Sequence, residues 1–257
     1  MKRTIKNLMG FAMGATDGEI GKVKDFYFDD VTWTIRYLVV ETGNWLSNRK
    51  VLISSEAFLQ CDWANETLPV NLTKEQIKKS PDIDTDQPVS RQHEMELYAH
   101  YSWTNYWGGG IWAGGMGTTG MMMPMSSVPM EEAVKNSKNT PDAEADGDPH
   151  LRSAKNVQGY TIHALDDTIG DVEDFIVDDS NWTIHYMVVD TGKWFPGKKV
   201  TISPDWIKEI NWETSEVIVN ASVDQVKNSP EYGVSKHLST EYEANLQNYY
   251  GRFISHK

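Results

Sequence analysis

One segment of this chain is present twice. Residues 10–81 and 159–230 align without a gap at a constant offset of 149 positions, and 30 of the 72 aligned residues are identical. A repeat of this length is too long for a solenoid unit and is typical of a small domain. The sequence therefore predicts two copies of one fold, each with a modest hydrophobic core.

The two copies set the domain boundaries. We expect a first domain with a helical tail over residues 1–105, a linker over 106–150 and a second domain with a helical tail over 151–257. The linker is rich in Gly, Met and Pro, and its methionines are Met116, Met121, Met122, Met123, Met125 and Met130. Thioethers are soft ligands suited to Cu(I), but no cysteine lies near them, so a flexible connector is the favoured interpretation.

Charge limits the classes of partner. The chain has 37 acidic and 24 basic residues, a formal net charge of −13. This balance argues against direct binding of nucleic acid, because phosphate contacts need clustered Lys and Arg. The excess is uneven, since residues 159–230 carry 13 acidic and 5 basic groups, whereas residues 10–81 carry 10 and 8. The copies are therefore expected to share a scaffold and to differ in their surfaces.

The single cysteine and the first residues bear on the cellular compartment. Cys61 has no partner for an intrachain disulfide, and its counterpart in the second copy is Ile210, so we expect a small buried apolar group. The apolar run at residues 8–13 resembles a short signal peptide, but Gly10 aligns with Gly159. We interpret this run as the first strand of a domain, too short to span a membrane, and expect a cytoplasmic protein.

The residue pattern of each copy predicts a series of short strands. Gly21 is interpreted as a tight bend before a strand at 23–28, and Asp29-Asp30 as the turn that ends it; the same holds 149 positions later. The strongest signal is the strand at 33–41, rich in β-branched and aromatic residues, with its equivalent at 182–190. Further strands are expected at 50–54, 68–71, 199–203 and 217–220.

The strongest strand has two different faces, because successive side chains point to opposite sides. The face that is unchanged between the copies is assigned to the barrel core and consists of Trp33, Ile35, Tyr37 and Val39. The face that changes is assigned to solvent or a partner and consists of Thr34, Arg36, Leu38 and Val40, with Thr183, His185, Met187 and Val189 in the second copy.

Helices are expected after the strands. Capping boxes of Thr73 with Gln76 and of Ser222 with Gln225 predict two short helices that stop before Ser-Pro pairs at 80–81 and 229–230. Helical tails are expected at 90–101 and 239–250, the second ending at Gly251. Strands that follow one another without crossover helices predict a mainly β protein of two small antiparallel barrels in tandem, each with short C-terminal helices.

Four stretches resemble the PRC-barrel family, the small β-barrel of the photosynthetic reaction-centre H subunit and of a ribosome-maturation protein. They are Ile-Gly-x-Val-x-Asp-Phe at 20–26, Trp-Thr-Ile-x-Tyr-x-Val-Val at 33–40, Thr-Gly-x-Trp at 42–45 and Val-x-Ile-Ser at 51–54, each repeated 149 residues later. The resemblance covers about 70 residues in each half. The chain is similar to the stand-alone bacterial type of this family, which has two barrels. It implies the fold and carries over no catalytic residue.

Two groups of residues could ligate a metal. Asp29-Asp30 and Asp178-Asp179 are paired carboxylates, but neighbouring residues of a turn point apart, so turn formation is favoured over a cation site. His93 and His100 could share a helical face, but their counterparts are Tyr242 and Tyr249, so aromatic packing is favoured. We therefore predict no metal site and no cofactor.

Partner-binding candidates come from the changing strand face and from the linker. Arg36 and its counterpart His185 differ between the copies and are expected to face a partner. Tyr106, Trp107 and Trp112 flank a Gly-rich run, where aromatic rings are exposed unless they dock on a barrel or a partner. The two barrels are expected to pack on each other or across a homodimer.

Three functions remain open. The leading hypothesis is a protein-binding or assembly module that presents an acidic surface to an unknown protein partner. We expect that it is not an enzyme, because the sequence contains no nucleophile motif, phosphate loop or Cys-x-x-Cys. The alternative, which rests on the resemblance, is an electron- or proton-transfer accessory similar to the reaction-centre H subunit. Its relay would use Asp166, Asp167, Asp171 and Glu173. Association with ribosomes or RNA is weakened by the charge.

Overall fold

The computed structural model describes residues 1–81, 89, 91–103, 150–192, 197–233 and 238–254, and for 91, 92 and 252–254 it describes the backbone only. Residues 1–78 and 150–257 form one compact unit, and 79–149 form a second. The aromatic residues Tyr106, Trp107 and Trp112 and the linker methionines lie outside the described residues.

The described part of the first copy contains six strands and two helices. The strands are β1 (Lys2–Thr4), β2 (Ala12–Ala15), β3 (Gly18–Asp29), β4 (Thr34–Thr42), β5 (Lys50–Ser54) and β6 (Thr67–Pro69). The helices are α1 (Lys74–Lys78) and α2 (Arg91–Tyr101), of which α2 belongs to the second unit.

The described part of the second copy repeats this order with one more strand and one more helix. The strands are β7 (Leu151–Ser153), β8 (Thr161–His163), β9 (Thr168–Asp178), β10 (Thr183–Asp190), β11 (Lys199–Ile202), β12 (Ile207–Asn211) and β13 (Glu216–Val219). The helices are α3 (Ala154–Val157), α4 (Val223–Lys227) and α5 (Thr240–Ile254).

The fold is mainly β, as predicted, with the two repeats joined in one sheet whose path runs β12-β13-β8-β9-β10-β4-β3-β2-β6. Most neighbours are antiparallel, but β2 pairs with β6 and β8 pairs with β13 in parallel. The expectation of wholly antiparallel barrels is therefore corrected at one pair in each repeat. In each repeat, the last strand (β6 or β13) lies beside the first barrel strand (β2 or β8). The parallel pair thus brings together the two ends of a short series of antiparallel strands.

Each repeat also lends its first strand to the other repeat. β1 pairs with β9 of the second repeat, and β7 pairs with β3 of the first. Residues 2–4 and 151–153 occupy equivalent positions at the offset of 149, so the exchange is reciprocal. We call these two strands and the turns that follow them the arms.

The glycines interpreted as bends lie inside strands instead. A Cβ on Gly21 would stand 2.0 Å from the carbonyl oxygen of Glu41, and a Cβ on Gly170 would stand 1.9 Å from that of Asp190. Glycine is required here because two backbones approach closely, not because the chain turns.

The assignment of strand faces is wrong in part. Leu38, Val40, Met187 and Val189 are all fully buried, although their face was assigned to solvent or a partner. Met187 lies opposite Phe175 in the β9–β10 ladder, and the Phe175 ring meets that of Phe28 in the first repeat at 5.6 Å. The other repeat of the same chain covers this face, so β4 and β10 bury apolar side chains on both sides.

Trp33 and Trp182, which were placed on the core face, precede their strands in a left-handed conformation with φ of 54° and 58°. Trp182 is buried and Trp33 is half-buried.

Helix starts are as the sequence predicts, and one helix end is not. Gln76 N donates to Thr73 Oγ1 and Thr73 N donates to the Gln76 side chain, and Ser222 and Gln225 form the same capping box. Helix α5 continues through Gly251 to Ile254, so the predicted stop at Gly251 is wrong. The helix can accommodate Gly in its interior at a cost of about 1 kcal/mol.

Candidate protein-binding surface

Two carboxylates anchor the arms, Asp25, which is half-buried, and Asp174, which is buried. Asp25 of β3 accepts hydrogen bonds from Ser153 Oγ at 2.6 Å and from Lys155 N at 3.1 Å. Its counterpart Asp174 of β9 accepts from Lys6 N at 3.2 Å. Burial raises the pKa of Asp25 and raises that of Asp174 to about 6, against hydrogen bonds that lower both.

Each arm also carries an arginine that stacks on a tryptophan. The Arg3 guanidinium lies 4.0 Å from the ring centre of Trp63, and the Arg152 guanidinium lies 4.1 Å from that of Trp212. Arg152 and Trp212 lie 149 positions after Arg3 and Trp63, so the same cation–π contact is present in both repeats.

The four carboxylates considered for a metal are engaged in turns and arms. Asp29 Oδ1 accepts from the backbone N–H groups of residues 31 and 32 at 2.9 and 2.8 Å, and Asp178 Oδ1 accepts from that of residue 180 at 3.0 Å. Asp30 accepts from Arg152 Nε at 2.8 Å, and Asp179 accepts from Trp63 Nε1 at 2.7 Å.

Asp29 and Asp178 therefore cap their turns, while Asp30 and Asp179 join the repeats. Across the described residues, no three His, Cys, Asp or Glu side chains come together in a way that could hold a metal ion.

The junction of the two repeats, where β4 meets β10, completes this region, which we call the seam. Ile35 N donates to the Trp182 carbonyl at 2.8 Å, and Ile184 N donates to the Trp33 carbonyl at 2.7 Å. The Trp182 ring packs edge-to-face on Phe58 of the first repeat at 4.8 Å, whereas the Trp33 ring stacks on Phe28 of its own repeat at 5.3 Å. The seam therefore consists of the arms, their carboxylate anchors and the Trp33–Trp182 crossing.

Arg36 and His185 lie beside the seam. The Arg36 guanidinium is 3.5 Å from Asp29 and 3.3 Å from Thr32 Oγ1, so it closes the turn of its own hairpin. Burial, helped by the charge of Lys2, lowers the pKa of His185. The Arg36 contacts are made within its own hairpin, and both side chains are half-buried.

The second repeat has an outer sheet face that is rich in carboxylates. Two rows of side chains cross strands β9, β8, β13 and β12 in register: Asp171, Thr161, Glu216 and Asn211 in one row, and Thr168, His163, Ile218 and Glu209 in the other. The alternate residues Ile162 and Val217 are fully buried, so these two rows face outward. We call this surface the acidic face.

Hydrogen bonds order the acidic face without neutralising it. Thr161 Oγ1 donates to Asp171 at 3.2 Å, and Thr214 Oγ1 donates to Glu216 at 2.8 Å. His163 Nδ1 is 3.1 Å from Thr168 Oγ1, and His163 Nε2 is 3.5 Å from Glu216. The Glu216 side chain remains 44% exposed, which leaves its charge accessible to a partner.

The equivalent face of the first repeat is different in charge. Its rows consist of Lys22, Ala12, Thr67 and Asp62, and of Glu19, Gly14 and Pro69. Lys22 stands where the second repeat has Asp171, and Thr67 stands where it has Glu216. Asp62 turns its carboxylate onto the N–H groups of residues 64 and 65, both at 3.1 Å.

The four carboxylates named for a proton relay each have a separate partner. Asp166 accepts from Val223 N at the start of α4 at 2.8 Å, and Asp167 accepts from Thr168 N at 2.7 Å. Glu173 contacts Lys6 Nζ at 3.2 Å and Lys199 Nζ at 2.6 Å, and these cations hold its pKa below the usual range although burial opposes them. Asp171 belongs to the acidic face.

The remaining candidates contribute little to a site. Cys61 is buried, as predicted, and burial raises the pKa of its thiol to about 12. The His100 ring packs edge-to-face on Tyr101 at 4.6 Å in the second unit. A cleft of about 540 Å³ lies beside β1, where Lys2 and Glu243 form an ion pair across it. The acidic face is therefore the strongest candidate surface.

Sequence reasoning missed the arms and the two rows of the acidic face. The arms lie outside the 72-residue alignment, yet Arg3 and Arg152 and also Lys6 and Lys155 match at the same offset, which could have extended the repeat. The charge of the second copy was visible, but its placement on four neighbouring strands depends on the parallel β8–β13 pair.

Comparison with known proteins identifies the fold. The family model of the PRC-barrel domain matches residues 12–77 and 150–226. Comparison with curated proteins gives no match. Within the described ranges, every helix is too short or too polar to cross a membrane.

Proposed function

The chain belongs to the PRC-barrel family, and on this premise we propose that it is an assembly protein, not an enzyme, whose acidic face binds a basic segment of a protein partner. The family match supports a binding or assembly module in general terms. The partner's chemistry follows from the face itself.

The observation that carries the proposal is the difference between equivalent faces of one scaffold. In the second repeat, Asp171, Glu209 and Glu216 occupy positions that are Lys22, Gln60 and Thr67 in the first. The first repeat forms the equivalent strands β2, β3 and β6 of the same barrel without carboxylates at these positions, so the barrel itself does not require them. Clustered like charges on an ordered sheet favour a partner of opposite charge and exclude partners of like charge.

The alternative of a proton-transfer accessory is less well supported. A relay needs groups linked to one another by hydrogen bonds, whereas Asp166, Asp167 and Glu173 are each bonded to a different neighbour. Association with RNA would require a basic surface, and the ordered face of the second repeat is acidic.

Site-specific cross-linking in the full chain tests the proposal. A photoreactive residue in place of Thr161, at the centre of the acidic face, should capture a protein partner in the native cell. The matched control is the same residue in place of Ala12, which occupies the equivalent position of the first repeat. We expect adducts from position 161 that disappear in a Glu209→Lys, Glu216→Lys background. Equal adducts from both positions, or none from position 161, would contradict the proposal.

A further inference from the structure

Strand β12 forms one end of the sheet, and no strand among the described residues pairs with its outer edge. It runs over Ile207–Asn211 with a register irregularity between Ile207 and Glu209, and β13 is its one partner among the described strands. The equivalent stretch of the first repeat makes only isolated bridges, Phe58 with Val70 and Asp62 with Thr67, and its neighbour β6 ends in Pro69. The second repeat therefore has an ordered sheet edge that the first repeat does not form.

The backbone of Ile210 points away from β13. The pair Asn211–Glu216 is equivalent to Asp62–Thr67, whose backbones exchange hydrogen bonds of 2.8 and 3.0 Å. In an antiparallel ladder, residues alternate between facing the partner strand and facing away from it. The N–H and C=O groups of Ile210 therefore face the outer edge.

This edge borders the acidic face. Glu209 of β12 lies in one row of the face, Asn211 lies in the other, and Glu213 is exposed in the turn that follows. A segment that pairs with β12 would place alternate side chains beside these carboxylates.

We propose that the partner binds by strand addition to β12, as an extended segment in which Lys or Arg alternates with apolar or β-branched residues. This inference rests on the proposed function and adds the geometry of binding. Main-chain hydrogen bonds to Ile210 supply the pairing, and basic side chains against Glu209 and Glu216 supply the selectivity.

Charge disfavours a second copy of this chain as the occupant. Edge-to-edge pairing of two β12 strands would bring two acidic faces onto one continuous sheet. Charged residues on an edge strand, here Lys208 and Glu209, oppose that kind of self-association.

Amide hydrogen exchange of the full chain, followed by NMR, tests strand addition with two lysine-rich peptides. One peptide alternates Lys with Val and Thr and favours an extended form, and the other carries the same number of lysines on an Ala-rich helical sequence. We expect the extended peptide to bind at least tenfold more tightly and to slow exchange of the Ile210 amide at least tenfold. The Asn211 amide, already paired with β13, serves as the internal control.

Each other outcome overturns the inference in a distinguishable way. If both peptides bind equally and perturb the acidic face without protecting Ile210, strand addition is wrong and the proposed function survives. If neither peptide binds, both are wrong. If Ile210 is protected without peptide and more so at higher protein concentration, a second copy occupies the edge.

Discussion

The seam and the outer sheet faces have changed in opposite ways between the repeats. Seam positions keep their chemistry: Arg3 and Arg152, Asp25 and Asp174, Asp30 and Asp179, and Trp63 and Trp212. The outer faces differ at Lys22 and Asp171, Gln60 and Glu209, and Thr67 and Glu216. Seam residues are held by contacts with the other repeat, so a change on one side affects both. Among the described residues, the outer faces make no contact of this kind with the other repeat, so they can specialise.

The largest expected effect separates the two tryptophans at the seam. Trp182→Ala should lower the free energy of unfolding by about 3 to 5 kcal/mol, because its buried ring fills the contact with Phe58 of the other repeat. The matched variant Trp33→Ala should cost about 1 to 3 kcal/mol, because that ring is half-buried and stacks within its own repeat. Denaturant titration measures the free energy of unfolding of both variants. Equal losses would show that the two tryptophans contribute equally to the stability of the seam, contrary to this prediction.

The anchor Asp174 should make stability depend on pH. Its pKa rises from 3.8 to about 6 on folding, so its contribution is fully present below about pH 4 and is lost as the pH rises through 6. The shift corresponds to about 3 kcal/mol. Asp174→Asn should remove most of this dependence in denaturant titrations from pH 4 to 7. An unchanged profile would contradict burial of the carboxylate at the seam.

The arm contact between Arg152 and Asp30 should be worth less. Arg152 donates to the carboxylate and also stacks on Trp212, and both partners are largely shielded from water. We expect Arg152→Leu to cost about 1 to 2 kcal/mol and a double-mutant cycle with Asp30→Asn to give a coupling of about 1 kcal/mol. Arg3→Leu is the matched variant on the other arm. Zero coupling would show that the stacking, and not the ion pair, holds the arm.

The smallest expected effect on stability comes from the acidic face. Glu209→Gln together with Glu216→Thr, which installs the residues of the first repeat, should change the free energy of unfolding by less than about 0.5 kcal/mol. Thermal unfolding followed by circular dichroism measures this change. A loss above 1 kcal/mol would mean that the carboxylates serve the fold, and the contrast between seam and face would fail.

The sequence predicts local features of this fold better than its long-range contacts. The strands at 33–41 and 50–54 and both capping boxes follow from signals within a few residues. The arms do not, because strands of three residues carry almost no periodicity and their partners lie in the other repeat. Leu38 and Val40 were misplaced because alternation describes one barrel, whereas two repeats together bury both faces of β4.

The candidate site shows the same limit. The excess of acidic residues in the second copy is plain from its composition, but the rows that bring Asp171 and Glu216 together need the strand order. Arg36 and His185 were selected because they differ between copies, and the structure places both beside the seam. The role of Arg36 and His185 as partner contacts stays a prediction.

The affinity of the full chain for a lysine-rich extended peptide tests the central claim most directly. The decisive variant carries Asp171→Lys, Glu209→Gln and Glu216→Thr, which gives the second repeat the residues of the first at these positions. The control removes two exposed carboxylates of the first repeat, Glu19→Thr and Glu66→Ser. Isothermal titration should show at least a tenfold loss of affinity in the first variant and less than a twofold change in the control. Equal affinity in the two variants would contradict the assignment of the acidic face as the binding surface.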